Sequence, residues 1–231
     1  MKIREVWQFL LRLILFIGLC GLVLIVPIPV MLLRAKHFNW LGTTGVAVVY
    51  FGLYLGAIWL AWRAFRHVWN NPRGWLTKAD WKLIGYSQLE IFAAEIGIGI
   101  MGQVLHLSSA SENNQIIYRL LSSNSVVLIL FSIGIVFLTP ILEELVFRGY
   151  LIRGVMSWAP VWLSIITSGI VFSAGHASSN WLSFLIYAVM GMILARAYVK
   201  TNRIQASIAL HFINNLFATV MMVITIVGDL H

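Results

Sequence analysis

Residues 125–147 read SVVLILFSIGIVFLTPILEELVF, an apolar run closed by two adjacent carboxylates, Glu143 and Glu144, with Arg148 just beyond. A helix that crosses a bilayer needs ~20 predominantly apolar residues, and this run supplies them. An ionisable side chain at membrane depth is costly, rare and as a rule functional. Two in succession are hard to explain as packing. The stretch therefore decides two matters together: the chain belongs in a membrane, and it carries chemistry there.

The rest of the chain agrees. Of 231 residues, 60% are hydrophobic and 10% are charged, which excludes a disordered chain and an ordinary soluble domain. The apolar runs are continuous, so a transmembrane barrel, with its short alternating segments, is excluded too. Seven spans are expected, near 9–33, 40–62, 83–105, 125–147, 165–183, 184–198 and 204–227. The expected fold class is all-α, a polytopic transmembrane helical bundle of about seven spans. Residues 1–231 form one integral-membrane domain with no internal repeat, and 125–227 hold its functional core.

With the N-terminus in the cytoplasm, every Lys and Arg except Arg34, Lys36 and Arg119 falls on the inner side. That bias sets a multi-pass protein of the cell membrane, N-terminus cytoplasmic and C-terminus outside. It also accounts for the net charge of +8 without nucleic acid as a partner. The single cysteine, Cys20, allows neither an intrachain disulfide nor a thiolate metal site. Residues 9–33 are too long for a signal-peptide core and show no cleavage site, so they read as a retained anchor whose outer end Pro27 and Pro29 break. The C-terminus carries no lipidation signal. Trp40, Trp62, Trp69, Trp75, Trp81, Trp158 and Trp162 fall at expected interfaces, and Gly97, Gly99 and Gly102 suggest close helix packing on the third span.

Three short patterns lie on three spans: Glu143-Glu144 with Arg148, Phe172 with His176, and His211 with Asn215. Glu144 and Arg148 are four apart and share a helix face, so they can pair. Glu143 lies about 100° around the helix and points elsewhere. His211 and Asn215 project together, and Phe172 sits one turn before His176. Pro140, one turn before the carboxylates, cannot donate a backbone hydrogen bond and should open the helix locally. Asn214 competes with Asn215.

The ordered set resembles the CPBP intramembrane proteases, the family of CAAX-type prenyl-protein proteases and bacteriocin-processing enzymes, with patterns E-E-x-x-x-R, F-x-x-x-H and H-x-x-x-[N/D]. The resemblance covers about 125–227, and it is what favours Asn215 over Asn214. It implies that Glu143 acts as general base on a water that His176 helps to bind. It implies that His211 and Asn215 stabilise an oxyanion, and that Glu144 and Arg148 form a supporting pair. Hydrolysis of a peptide bond needs these parts. Glu143, His176 and His211 would also make an acceptable catalytic zinc set; the compact H-E-x-x-H motif is absent, and the reading leans towards water activated without a metal.

The expected function is an intramembrane endopeptidase acting on a CAAX-type or bacteriocin-type substrate. Its partners are a peptide or protein with a membrane-proximal or lipidated segment, and membrane lipids. Two other readings stand beside it: a non-proteolytic immunity or scaffold protein on the same fold, and a small proton-coupled transporter. Entry is expected from the cytoplasmic face or laterally from lipid. The levels of Glu143, His176 and His211 agree if Arg148 marks the interface and residues 149–163 project into the cytoplasm. Glu90 and Glu95, five apart on the third span, suit a structural or substrate-groove role. Arg12, Arg153 and Arg196 are expected at interfaces, and His37, His67, His106 and His231 are assigned nothing.

Overall fold

A computed structural model describes residues 3–35, 38–70, 74–107 and 111–229. Lys2, Lys36, His37, Arg73 and His231 lie outside the described residues. The described structure is helical: α1 Ile3–Ile25, α2 Ile28–Ala35, α3 Trp40–Val68, α4 Lys78–Val104, α5 Glu112–Leu121, α6 Ser125–Val155, α7 Val161–Ala174, α8 Trp181–Thr201 and α9 Ile204–Gly228. Six stretches are long and apolar enough to cross a membrane; α1 and α2 form one of these, and the shorter α7 adds an apolar helix inside the bundle. The protein is a multi-pass membrane protein.

Local chemistry explains the boundaries. α1 stops and α2 begins around Val26 and Pro27, as the proline pair suggests. Thr77 and Asp80 close a reciprocal capping box on α4, Asn124 caps α6, and Asn180 caps α8 with Ser183, each satisfying helix N–H groups that have no intrahelical partner. α8 ends on Asn202 in the left-handed region at φ 52°, a conformation asparagine tolerates well. Exposed Trp40, Trp62, Trp75, Trp81, Trp158 and Trp162 fit interfacial belts.

Side-chain contacts define two ends. At one, Arg12 donates to the Gly154 carbonyl, Arg153 packs over Trp69 and donates to Asn202, and Arg203 pairs with Asp80 and donates to the Gly74 carbonyl. At the other, Asn124 donates to the Leu33 carbonyl, the Asn113 N–H to the Ala177 carbonyl, and the Tyr118 hydroxyl to Asp229. α5 thus lies across the second end.

Two expectations need correction. The fifth span, placed at 165–183, is the shorter helix Val161–Ala174, and the next begins at Trp181. Between them Gly175–Asn180 forms a loop that carries His176. Arg148 does not mark an interface: it has no exposed surface, and α6 continues to Val155 with almost every residue buried. Residues 149–155 therefore belong to the packed bundle and do not project from it. The charge of Arg148 is neutralised internally, so it tells nothing about the bilayer edge.

Of the three glycines expected to pack closely, Gly102 is buried, but Gly97 and Gly99 are in open surroundings. A Cβ on Gly97 or Gly99 would meet nothing within 4 Å, whereas one on Gly169 would lie 2.6 Å from the Ala188 carbonyl, and one on Gly191 would lie 2.9 Å from Gly169 Cα. α7 and α8 approach through these two residues. Gly169→Ala should therefore destabilise the protein by about 1–3 kcal/mol through overpacking. Gly97→Ala should leave it unchanged or stabilise it by about 0.5–1 kcal/mol through helix propensity. Unfolding titrations of both variants in mixed micelles read the two signs; equal behaviour would show that the α7–α8 contact is not tight.

Candidate active site

The three patterns converge. Glu144 is the central acceptor: its Oε1 receives Arg148 Nη1 at 2.8 Å and His211 Nδ1 at 2.8 Å, and its Oε2 receives the Ser207 hydroxyl. The carboxylate is wholly buried and fully engaged. Arg148 also donates through Nη2 to the Gly191 carbonyl at 3.1 Å and lies 4.3 Å from the centre of the Phe172 ring. One ion pair thereby ties α6, α8 and α9 together. A buried pair is tolerable when further hydrogen bonds support it, and here they do at every polar atom of the pair except the Arg148 Nε, which is buried without a partner.

Glu143 is held differently. It lies on the cavity wall, 6% exposed, and its Oε2 has no hydrogen-bond partner although the atom is buried. His211 Nε2 lies 3.9 Å from that oxygen, too long for a direct hydrogen bond and suited to a bridging water. A buried polar atom left without a partner calls for a functional explanation.

Both imidazoles are oriented by their Nδ1. That of His211 donates to Glu144, and that of His176 donates to the Phe172 carbonyl at 2.8 Å. Each therefore keeps Nε2 as its free nitrogen, the tautomer being set by the partner of the other nitrogen. His176 sits just past the last turn of α7, where the Gly175 and His176 N–H groups turn back to Phe172 and Ser173. Its ring is clamped between Phe172, at 4.4 Å, and Tyr187, stacked at 4.3 Å and 20°. Phe172 also packs edge-on against Phe147 and His211, so one buried ring spaces the arginine from both imidazoles.

Asn215 occupies an unexpected position. Residues Gly134–Leu138 of α6 form a π-helical turn in which the Thr139 N–H reaches the Gly134 carbonyl. The next donor in that register would be Pro140, which has none. The Ile135 carbonyl so released takes the Asn215 Nδ2 at 2.8 Å. Asn215 thus closes the break that the proline opens, and one amide N–H remains free beside the cavity. Asn214 accepts from Gln88 at 3.0 Å. Asn215→Ala should cost about 1–3 kcal/mol by orphaning the Ile135 carbonyl. Pro140→Ala in the same protein should recover much of it by restoring the missing N–H. No recovery in unfolding titrations would remove this account of the pair.

Glu143, His176, His211 and Asn215 line a cavity of about 960 Å³ together with Tyr54, Glu95, Tyr187, Asn214 and residues of α5. Glu90 is instead paired with Arg196, so the two glutamates of α4 divide into a structural and a cavity-lining one. The sequence reading missed Ser207, Tyr187, Tyr54 and the Gly191 carbonyl. Only Ser207 carried a signal, standing one turn before His211 on the same face. Glu143 and His211 come close, but among the described residues no three His, Cys, Asp or Glu side chains are gathered as ligands of one ion. The zinc set of Glu143, His176 and His211 does not fit this arrangement.

Fold and site define a polytopic membrane protein with an acid and two imidazoles facing one cavity. Residues 125–217 match the family of type II CAAX prenyl endopeptidases, Rce1-like. The putative membrane peptidase YdiL of Bacillus subtilis is 28% identical over 141 residues, covering 61% of this chain and 55% of that protein. The membrane-embedded CAAX protease MroQ of Staphylococcus aureus is 25% identical over 150 residues, covering 62% and 58%. The UPF0177 protein YbdI of Lactococcus lactis is 33% identical over 89 residues, covering 38% and 47%. The chain thus spans little more than half the length of YdiL and MroQ. No solved structure matches it. Over residues 125–217 the chain is similar to that Rce1-like family.

Proposed function

We propose that the protein is an intramembrane endopeptidase that hydrolyses a peptide bond by water activated on Glu143. The observation that carries this is the division of labour between adjacent glutamates. Glu144 is saturated by Arg148, His211 and Ser207, while Glu143 keeps a buried, unpartnered oxygen facing the free Nε2 of His211. In this reading Glu143 takes a proton from a water between it and the imidazoles, and His176 orients that water through Nε2. The proton passes from Glu143 to the free Nε2 of His211, whose positive charge Glu144 stabilises, and the imidazolium then donates to the developing oxyanion and delivers that proton to the leaving amine. The free N–H of Asn215 adds a second donor. Preorganised donors of this kind are where much of the acceleration arises.

The substrate class is a peptide or protein with a membrane-proximal segment or a lipidated one, and the N-terminus is cytoplasmic with the C-terminus outside. MroQ is described as a CAAX protease, which supports a peptidase chemistry for the shared core. The test is mass-spectrometric detection of cleavage of a peptide library by the reconstituted protein. Products from the wild type and none from His176→Ala support the reading; products from both would remove the two-imidazole mechanism.

A further inference from the structure

The charges and the cavity lie at opposite ends of the bundle. Arg12, Arg153 and Arg203 meet at the end where α6 and α8 finish and α4 and α9 begin. Arg63, Arg66, Lys78, Lys82, Arg196 and Lys200 lie on the same ends of their helices. At the opposite end the described residues carry Arg34 and Arg119 against Glu112 and Asp229, a near balance. Lys and Arg next to spans mark the cytoplasmic side.

From the acid and imidazoles the cavity extends the other way. Its walls are Val23, Pro27 and Met31 around the α1–α2 break, Gly99 near the end of α4, and Met222 near the end of α9. All of these belong to the end across which α5 lies. That helix contributes Asn113, Asn114, Gln115 and Arg119, and α4 adds Glu95. Among the described residues Glu95 has no ion pair. Amides and opposite charges offer hydrogen bonds to an extended backbone and its polar side chains. Ser111, Asn113 and Asn114 also converge on the hydroxyl of Tyr187, whose ring stacks on His176, so the wall at this end is continuous with the catalytic groups.

We infer that the cavity takes its substrate from the extracytoplasmic face, and that the substrate is an exported polypeptide or the outward-facing juxtamembrane segment of a membrane protein. This rests on the endopeptidase reading and narrows it. Entry from the cytoplasmic face does not fit a cavity that runs away from the basic end.

The test reads sidedness with and without hydrolysis. In a Cys20→Ser background, Ser122→Cys lies beside α5 and Ser157→Cys beside Arg12. A membrane-impermeant maleimide on intact cells should label position 122 at least ~10-fold faster than 157, if the basic end is cytoplasmic. The reverse ratio overturns the proposal. Separately, a membrane-impermeant peptide that the purified protein cleaves should be cut by intact cells and spared by sealed inside-out vesicles. Cutting only by the inverted vesicles overturns the proposal and leaves the peptidase reading standing. The expected labelling with no hydrolysis by any preparation keeps the sidedness and removes the peptidase.

Discussion

Glu143→Gln should yield a folded protein whose single-turnover rate of peptide hydrolysis is lower by on the order of 10³-fold, within the range that a positioned base contributes. The amide keeps the shape of the carboxylate and loses the basicity. The companion expectation concerns stability. Glu143 Oε2 is buried without a hydrogen-bond partner, and a buried charge lacking full compensation is a cost to the fold. Removing that charge should leave resistance to unfolding equal or higher. Loss of activity with a gain in stability is the mark of a group retained for chemistry. Rates in proteoliposomes and unfolding titrations in mixed micelles read both. If Glu143→Gln is active, or inactive because it is unfolded, Glu143 is not the working base.

Arg148→Met should have the opposite signature. It strands Glu144 in a fully buried position and frees the Gly191 carbonyl from its donor. Breaking one side of a buried ion pair costs about 3–5 kcal/mol, a large share of the stability of a typical fold. The variant should accumulate poorly and unfold at much lower denaturant. Adding Glu144→Gln removes the stranded charge and should restore part of the loss, leaving His211 held by a neutral acceptor. Additive losses in the double variant, measured by the same titration, would mean that the two residues act independently and that the ion pair is not the keystone of α6, α8 and α9.

Much of the site could be read from helical periodicity. The spacing of four between Glu144 and Arg148, and the 100° separation of Glu143 from Glu144, correspond to a saturated acid and a cavity-facing one. The Phe172 ring over His176 follows from the same arithmetic. What escaped was long-range. Periodicity is blind to Tyr187 stacking on His176 from another helix and to Ser207 reaching Glu144. Asn215 and His211 both line the cavity, but the bond of Asn215 to the Ile135 carbonyl depends on a π-turn that no single residue announces. Charge counting failed for Arg148 because it assumes that every arginine seeks water, and a carboxylate one turn away supplies what water would. Hydropathy ran the fifth span through 175–183, where Gly175 and the Asn180 cap end one helix and start another. Glycine spacing on α4 suggested packing, while the close approach is at Gly169 and Gly191, whose partners lie on different helices.

The most direct measurement is single-turnover cleavage in ¹⁸O-labelled water with acid quenching and mass spectrometry of protein and product. Direct attack by water activated on Glu143 places one ¹⁸O in the new carboxylate on the first turnover, leaves no peptide attached to the protein, and gives no product with Glu143→Gln. A peptidyl adduct on the protein, or labelled product from Glu143→Gln at the wild-type rate, would contradict the account.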